Sequence, residues 1–199
     1  MPSDIEICNT ALARVAVTKP IASFTERSKE AELCQTFYSL LREQVLQDFP
    51  WPFATDIVAL ADVGSPAPGW QYRYRYPASC LLLRGFVQPG TRRLFDADMA
   101  IPYRVGYDAG GRVIHTDQPG ASVEYTFRVE DPTMFDPLFV DALSWRLAME
   151  LALPISAKPE YRTFCEQEYQ NALTRAQGAA FREMQDDPEP ESEFVSVRQ

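Results

Sequence analysis

The chain has 199 residues, of which 46% are hydrophobic, and a formal net charge of −9 at pH 7. This length suits one substantial core, or one core with a second small lobe, and apolar runs such as Cys80–Leu83 are too short to span a membrane. An acidic surface repels the polyanionic backbone of nucleic acid, so the composition argues against nonspecific binding to it.

The sequence begins with an acidic stretch, Met1–Glu6, that lacks the basic and then apolar run of a secretory signal, so we expect synthesis in a cytosol. Four cysteines and one histidine are present, and no two cysteines are spaced as C-x-x-C. This pattern does not suit a zinc site. We predict four reduced cysteines inside the core, with disulfides as the alternative.

Two helices are predicted in the first quarter of the chain. Apolar residues at three- and four-residue spacing predict a helix over about 4–17, and Ser3–Glu6 fits a capping box at its start. A second S-x-x-E sequence, Ser23–Glu26, precedes another apolar face and predicts a helix over about 26–49. Trp51 lies between two prolines, which disfavour helical geometry and end this helix.

From about 54 to 130 the sequence changes to short runs separated by glycine and proline, which indicates strands and turns. Gln71–Tyr76 alternates aromatic and basic residues and Val123–Val129 alternates apolar and polar residues, as half-buried strands do. Residues 70–128 are also the basic part of the chain, with eight basic and five acidic side chains. We predict a small antiparallel β lobe here.

Helical patterns return after the β lobe. Asp136 followed by Pro137 combines a cap with a proline in the first turn, and begins a third helix that we expect Pro154 to end. Apolar residues cover most of the circumference of this helix, so we predict that it is the buried centre of the bundle. A fourth helix is predicted over about 158–184.

Together these elements predict an α+β fold: a mainly α-helical bundle of about four helices, a small antiparallel β lobe inserted into it, and an extended C-terminal arm. The arm is acidic and contains prolines, which is typical of chain that does not order by itself. It also contains Phe194–Val197, which could pair with a sheet edge of another subunit, and a disordered solubilising tail is the alternative. The predicted boundaries are 1–53 and 131–185 for the bundle, 54–130 for the β lobe and 186–199 for the arm.

Few residues suggest catalysis. The motifs of serine hydrolases, zinc proteases, P-loops and dinucleotide-binding folds are missing from the sequence. His115 is expected on or beside a strand, in a surface or hydrogen-bonded role rather than a catalytic one. Asp96 with Asp98, or Asp131 with Asp136, could form a glycosidase-like pair, because such pairs are defined by their separation in space. Turn and cap carboxylates explain these four residues better.

The alternation in Gln71–Tyr76 has two interpretations. Tyrosines could stack on bases while Arg73 and Arg75 hold phosphates. A strand with one face in the core and one in solvent has the same pattern, and we favour this structural interpretation, with a neighbouring subunit or a channel as further contacts of the arginines. Large aromatic residues elsewhere are predicted to be core anchors. These are Trp51, Trp70 and Trp145.

Several separated blocks of sequence form a pattern that spans most of the chain. The blocks are Ser3–Val15, Ile21–Phe24, Ser28–Ala31, Phe49–Ala54, Gly69–Tyr72, Tyr76–Leu81, Asp131–Pro132 and Phe135–Phe139. In this order they closely resemble the tail tubular protein A family of short-tailed bacteriophages. The resemblance covers the chain to about residue 175, and Val15-Ala16 departs from the glycine that members often have there.

The resemblance implies a virion structural protein, assembled in the host cytoplasm and located at the head–tail junction. Such an adaptor docks on the phage portal protein as a homo-oligomeric ring, expected to have twelve subunits, and presents a platform for the tail nozzle protein. Genomic DNA would pass through the lumen without specific binding. No enzyme activity, catalytic residue, cofactor, metal or membrane contact is expected.

Two sets of contact residues are predicted on this basis. The C-terminal arm would contact the portal or a neighbouring subunit, and turns of the β lobe would contact the ring neighbour or the nozzle. An acidic lumen that repels DNA is a further hypothesis, which Arg73, Arg75, Arg92 and Arg93 lining the channel would contradict. The arm residues are Phe194, Val195 and Val197, and the lobe residues are Arg92, Arg93 and Asp108.

Two other functions stay open from the sequence. A tail-associated cell-wall hydrolase should lose activity, but not assembly, when one or two carboxylates are changed. An unrelated helical interaction module is the third class. An adaptor should instead lose portal binding when its arm or helix ends are changed.

Overall fold

The computed structural model describes residues 2–89, 94 and 100–183. Within them the chain forms four α-helices and two three-stranded antiparallel sheets, which confirms the predicted α+β class. The helices, together the helical body, are α1 (Asp4–Arg14), α2 (Lys29–Asp48), α3 (Pro137–Ser156) and α4 (Pro159–Glu183). The strands, together the β lobe, are β1 (Thr55–Ala59), β2 (Tyr72–Arg75), β3 (Cys80–Val87), β4 (Tyr103–Asp108), β5 (Gly111–Thr116) and β6 (Ser122–Phe127).

Helix α1 begins with the predicted capping box. The Ser3 hydroxyl accepts the Glu6 N–H at 3.2 Å, and the Glu6 carboxylate accepts the Ser3 N–H at 2.7 Å. The hydrogen bonds from Ser3 lower the pKa of Glu6. The helix ends at Arg14, earlier than predicted, because Ala16 adopts a left-handed backbone with φ of 64°.

The predicted start of α2 is wrong by three residues. Ser23–Glu26 forms a turn instead, in which the Glu26 carboxylate accepts the Ala22 N–H at 2.9 Å. Ser28 is the N-cap, and its hydroxyl accepts the Ala31 N–H at 3.3 Å. By residue type, Ser23 and Ser28 are equally suitable N-caps. Ser28 is the cap in the structure because Glu26 bonds to the Ala22 N–H and so belongs to the turn before the helix.

The prediction that Pro154 ends α3 is also wrong, because the helix continues to Ser156. A proline in the last turn removes one N–H, and the residues after it still bond to earlier carbonyls. The end is set by Ala157, which has a φ of 56° and donates its N–H to the Leu153 carbonyl at 3.1 Å. The Lys29 ammonium group caps the Pro154 carbonyl.

Helix α3 is the centre of the helical body, as predicted, because it contacts each of the other three helices. One ionic cluster joins three of them: Asp141 of α3 accepts from Arg14 of α1 at 2.6 Å and from Arg175 of α4 at 2.7 Å. The Arg14 guanidinium also lies 3.8 Å from the ring centre of Trp145. All four cysteines are buried and free, which confirms their predicted role in the core.

The β lobe consists of two sheets, with strand orders β1-β6-β3 and β2-β5-β4. Tyr74 and Ile114 are buried in the core between them, and Tyr72 packs against that core. Arg73 and Arg75 lie on the opposite face of β2, because successive side chains of a strand alternate. This arrangement confirms the structural interpretation of the Tyr/Arg alternation.

An aromatic cluster lies in the core of the helical body, where the chain passes to and from the β lobe. Trp51 is 1% exposed and donates its indole Nε1–H to the Val45 carbonyl at 2.8 Å. Its ring packs edge-on against Phe139, with centroids 5.1 Å apart. Phe53 contacts both Phe139 and Phe135, at 5.2 and 6.0 Å. Trp51 is therefore the predicted core anchor, whereas Trp70 and Trp145 are half-buried.

Arg84 of β3 connects the β lobe to the helical body. Its Nη2 donates to the carbonyls of Leu46 and Phe49 at 3.1 and 2.9 Å, and its Nε donates to the Thr126 hydroxyl at 2.8 Å. Burial lowers the pKa of Arg84, although an arginine stays protonated in proteins. One side chain thus satisfies backbone oxygens at the end of α2 while it holds the sheet in place.

Candidate interaction surfaces

The hairpin of β4 and β5 carries the predicted contact residue Asp108 just before its turn. Arg75 donates to both carboxylate oxygens of Asp108, at 2.7 and 3.1 Å, and Arg73 donates to the same carboxylate. The Gly110 N–H completes the set at 2.8 Å. Arg75 and, to a smaller extent, Arg73 and Gly110 hold the pKa of Asp108 well below its usual range. Asp108 therefore fixes the hairpin to β2, and its contact with a ring neighbour or nozzle stays a prediction.

We expect Asp108→Asn to destabilise the fold near neutral pH and to remove part of its acid sensitivity. The folded pKa of Asp108 is lower than the unfolded value, so its carboxylate stabilises the fold above the unfolded pKa of about 4. That contribution is lost as the pH falls through the folded pKa. Urea unfolding measures the free energy of unfolding of the parent chain and of Asp108→Asn. The difference between the two values should be largest at neutral pH and should shrink steadily below about pH 4.

Asp62→Asn is the control for this experiment. Asp62 accepts the Gly64 N–H at 2.8 Å but makes no ion pair within the described part of the chain. If the free energies of unfolding of Asp108→Asn and the parent chain differ by the same amount from neutral to acidic pH, the stabilising role given to the Asp108 carboxylate is wrong.

An exposed aromatic surface lies on β4, and the sequence reasoning missed it. Tyr103 and Tyr107 are 43% and 78% exposed, and both lie on the same face of the strand. β4 is an edge strand of its sheet. Exposed tyrosines on a sheet edge are typical of protein contacts, since a tyrosine supplies a large area at low entropic cost. The available signal was the spacing of the two tyrosines, which the sequence analysis did not single out.

An open groove of about 980 Å³ lies where the helical body meets the β lobe. One wall is the end of α2 with the following Phe49, Pro50 and Pro52, and another is the last part of α4, including Ala180. The remaining wall is β1, whose Ile57 side chain is 42% exposed. The groove is therefore mainly apolar.

The rim of the groove is acidic. Asp48, Asp56 and Glu124 all line it, and Glu124 lies opposite Ile57 in the register of β1 and β6. Burial raises the pKa of Glu124, and the nearby Arg84 opposes that rise. An apolar groove with several carboxylates favours an occupant that combines apolar side chains with a positive charge.

The other predicted contact residues lie outside the described residues. These are Arg92 and Arg93 of the β lobe and Phe194, Val195 and Val197 of the arm. The candidate carboxylates Asp96 and Asp98 also lie outside them. The structure therefore brings together Asp108, Arg73 and Arg75, and the remaining contacts stay predictions.

Three titratable residues that the sequence singles out have structural partners. Asp131 accepts the Thr133 N–H at 2.9 Å and Asp136 accepts the Leu138 N–H at 2.7 Å, so both are helix caps as predicted. His115 lies on β5, and its Nδ1 accepts the Ala67 N–H at 3.3 Å. These contacts give the three residues roles in local structure.

A smaller cleft of about 480 Å³ in the β lobe contains Cys80, Tyr76 and Arg112. The Arg112 guanidinium lies 3.7 Å from the centre of the Tyr76 ring. Burial raises the pKa of both Cys80 and Tyr76, so both groups are protonated near neutral pH. A protonated thiol is a weak nucleophile, and this cleft therefore lacks an activated group.

Within residues 2–89, 94 and 100–183, no cluster of histidine, cysteine, aspartate or glutamate is arranged to hold a metal ion. The helices in the same ranges are too short or too polar to cross a membrane. No protein-family model matches the sequence, and no curated protein matches it.

Proposed function

We propose that this chain is a virion structural protein, the head-to-tail adaptor of a short-tailed bacteriophage. It would form a ring, expected to be dodecameric, between the portal and the tail nozzle. DNA would pass through the lumen, and the work of the protein would be binding and geometry rather than turnover. In this proposal the ring assembles in the host cytoplasm and ends up at the head–tail junction of the virion.

The observation that carries the proposal is where the blocks of the resemblance lie in the fold. Phe49–Ala54 and Phe135–Phe139 are far apart in the sequence, yet their aromatic rings pack together in the helical core, beside the points where the chain enters and leaves the β lobe. Ser3–Val15 contains the capping box and the buried face of α1. Blocks of the resemblance thus include buried residues at the points where the chain passes between the two lobes, whose fixed relation a rigid ring subunit would require.

The surface chemistry supports a head-to-tail ring. A closed ring of identical subunits joins two different surfaces of the same chain. The β lobe exposes Tyr103 and Tyr107 within the basic part of the chain, whereas the acidic helical body exposes Phe164 and Leu40, at 54% and 56%. Complementary charge and unequal apolar surfaces suit a heterologous contact.

The proposed arm contact predicts the effect of a triple variant. Phe194→Asp, Val195→Asp and Val197→Asp together should weaken binding to the portal ring about thirtyfold or more, corresponding to about 2 kcal/mol, because apolar anchors dominate such contacts. Sedimentation of the chain with a purified portal ring measures the affinity. A control chain with Gln185→Asp, Ser192→Asp and Gln199→Asp adds the same charge and keeps the apolar residues. Equal affinities for the two variants would contradict the arm contact.

A further inference from the structure

The first strand of the β lobe has an edge that no described strand covers. In the order β1-β6-β3, β1 pairs with β6 alone. Leu60 donates its N–H to the opposite Ala121 carbonyl at 2.8 Å. Hydrogen bonding alternates along an antiparallel pair, so the backbone groups of Thr55, Ile57 and Ala59 point away from β6. The Ile57 N–H fits this pattern, since it donates to the Asp56 side chain at 2.8 Å.

This edge borders the apolar groove between the lobes. Thr55 and Ile57 line the groove together with Glu124 of β6. The Thr55 hydroxyl is buried and has no hydrogen-bond partner within the described part of the chain. An added strand could therefore take up the backbone groups of β1 and bury its apolar side chains in the same step.

The chain itself contains a segment with matching chemistry. Helix α4 lines the groove at Gln177 and Ala180 and ends at Glu183, and ten residues separate it from Phe194. Ten residues span at most about 33–36 Å, which is enough to turn back along the groove. Phe194–Arg198 reads Phe-Val-Ser-Val-Arg, which combines β-forming apolar residues with one positive charge.

We propose that Phe194–Arg198 adds to the free edge of β1 in its own chain, as a fourth strand of that sheet. One face of the added strand places Val195 and Val197 in the groove, and the other face carries Arg198 toward Asp56, which alternates with Ile57 along β1. Residues 184–193 contain the five acidic side chains of the arm and stay outside the acidic groove. Connection through α4 keeps the local concentration of the segment high, which favours the same chain over a second copy.

The added strand protects the monomer from edge-to-edge association, because the edge of β1 is covered. It also keeps the arm residues that are predicted to contact the portal or a neighbouring subunit bound in the groove of the isolated chain. In the proposed adaptor these residues would leave the groove when the portal or a neighbouring subunit takes them up. The inference itself concerns the isolated chain and does not rest on the ring proposal.

Disulfide trapping in the full chain tests the proposal. Ile57→Cys is combined in turn with a cysteine at each of the five positions from Phe194 to Arg198, and the four native cysteines are buried. An added strand alternates its faces and places one residue directly opposite Ile57, so either Val195→Cys or Val197→Cys should trap most efficiently while Ser196→Cys should not. The product should be a cross-linked monomer. Equal yields at all five positions, no trapping, or a ladder of cross-linked oligomers would each overturn the proposal.

Amide hydrogen exchange gives a second readout that does not depend on new cysteines. The N–H groups of Thr55 and Ala59 should be protected in the parent chain and should exchange about tenfold faster or more in the Val195→Asp, Val197→Asp double variant. The N–H groups of Asp56 and Val58, which face β6, should be unchanged and serve as the internal control. Protection of Thr55 and Ala59 that is the same in both chains would also overturn the proposal.

Discussion

Replacing Trp51 with alanine should destabilise the fold by about 4 kcal/mol, within the usual range for a fully buried tryptophan. The indole ring is 1% exposed, packs against Phe49 and Phe139, and satisfies the Val45 carbonyl. Its loss leaves a large cavity and a buried carbonyl without its donor. Because small domains are stable by only about 5–15 kcal/mol, this change removes a large part of the stability.

Urea unfolding with a shared slope measures the effect of Trp51→Ala. Trp70→Ala is the matched control, because Trp70 is half-buried in the loop before β2, and it should cost clearly less. A loss for Trp51→Ala no larger than that of Trp70→Ala would contradict the role of Trp51 as the anchor of the helical core.

Replacing Arg84 with methionine should lower the free energy of unfolding by about 3 kcal/mol. Methionine keeps most of the apolar stem but leaves the carbonyls of Leu46 and Phe49 and the hydroxyl of Thr126 without the donor that they have now. Each buried polar group without a partner costs about 1–3 kcal/mol of stability. The total for the three acceptors is smaller than three such costs, because water can enter at the edge of the groove and replace part of the lost hydrogen bonding.

Arg104→Met is the control for Arg84→Met. Arg104 is exposed on the edge strand β4, and its replacement should change stability by about 0.5 kcal/mol or less. Calorimetric melting of the two variants and the parent chain measures both effects. Equal melting temperatures for Arg84→Met and Arg104→Met would contradict the proposed role of Arg84 as a connector.

The elements that follow from local chemistry could be predicted from the sequence. The capping box at Ser3, the cap at Asp136 and the alternation along β2 depend on residues a few positions apart, and all three were predicted correctly. The start of α2 and the end of α3 depended on competing local hydrogen bonds. Glu26 bonds to the preceding backbone, and Ala157 rather than Pro154 ends α3.

The features that join distant parts of the chain could not be predicted. Asp108 was predicted as an outward contact, but nothing near it in the sequence indicated that Arg73 and Arg75 would bind it. Arg84 lies on a strand whose pattern gives no sign that the side chain reaches the end of α2. The groove likewise forms from α2, β1, β6 and α4 together, so no single segment of sequence encodes it.

Under the proposed function, these long-range contacts keep the two lobes of the subunit in a fixed relative position. A ring subunit must transmit the geometry of one partner to the next, so its lobes must keep a fixed relation. In the proposed adaptor the aromatic cluster and Arg84 would supply that rigidity, whereas the exposed tyrosines of β4 and the groove would supply contact surfaces. The residues that join the lobes are separate from the exposed tyrosines of β4, and variants of each should have distinct effects.

The most direct test of the adaptor is the mass of the purified chain, alone and after mixing with the intact portal ring of its phage. Native mass spectrometry measures both states. The proposal predicts a monomer that becomes a stoichiometric ring on the portal, with one copy per binding position and no intermediate of indefinite length. Failure to associate with an intact portal ring would contradict the adaptor proposal, and would favour the cell-wall hydrolase or an unrelated interaction module.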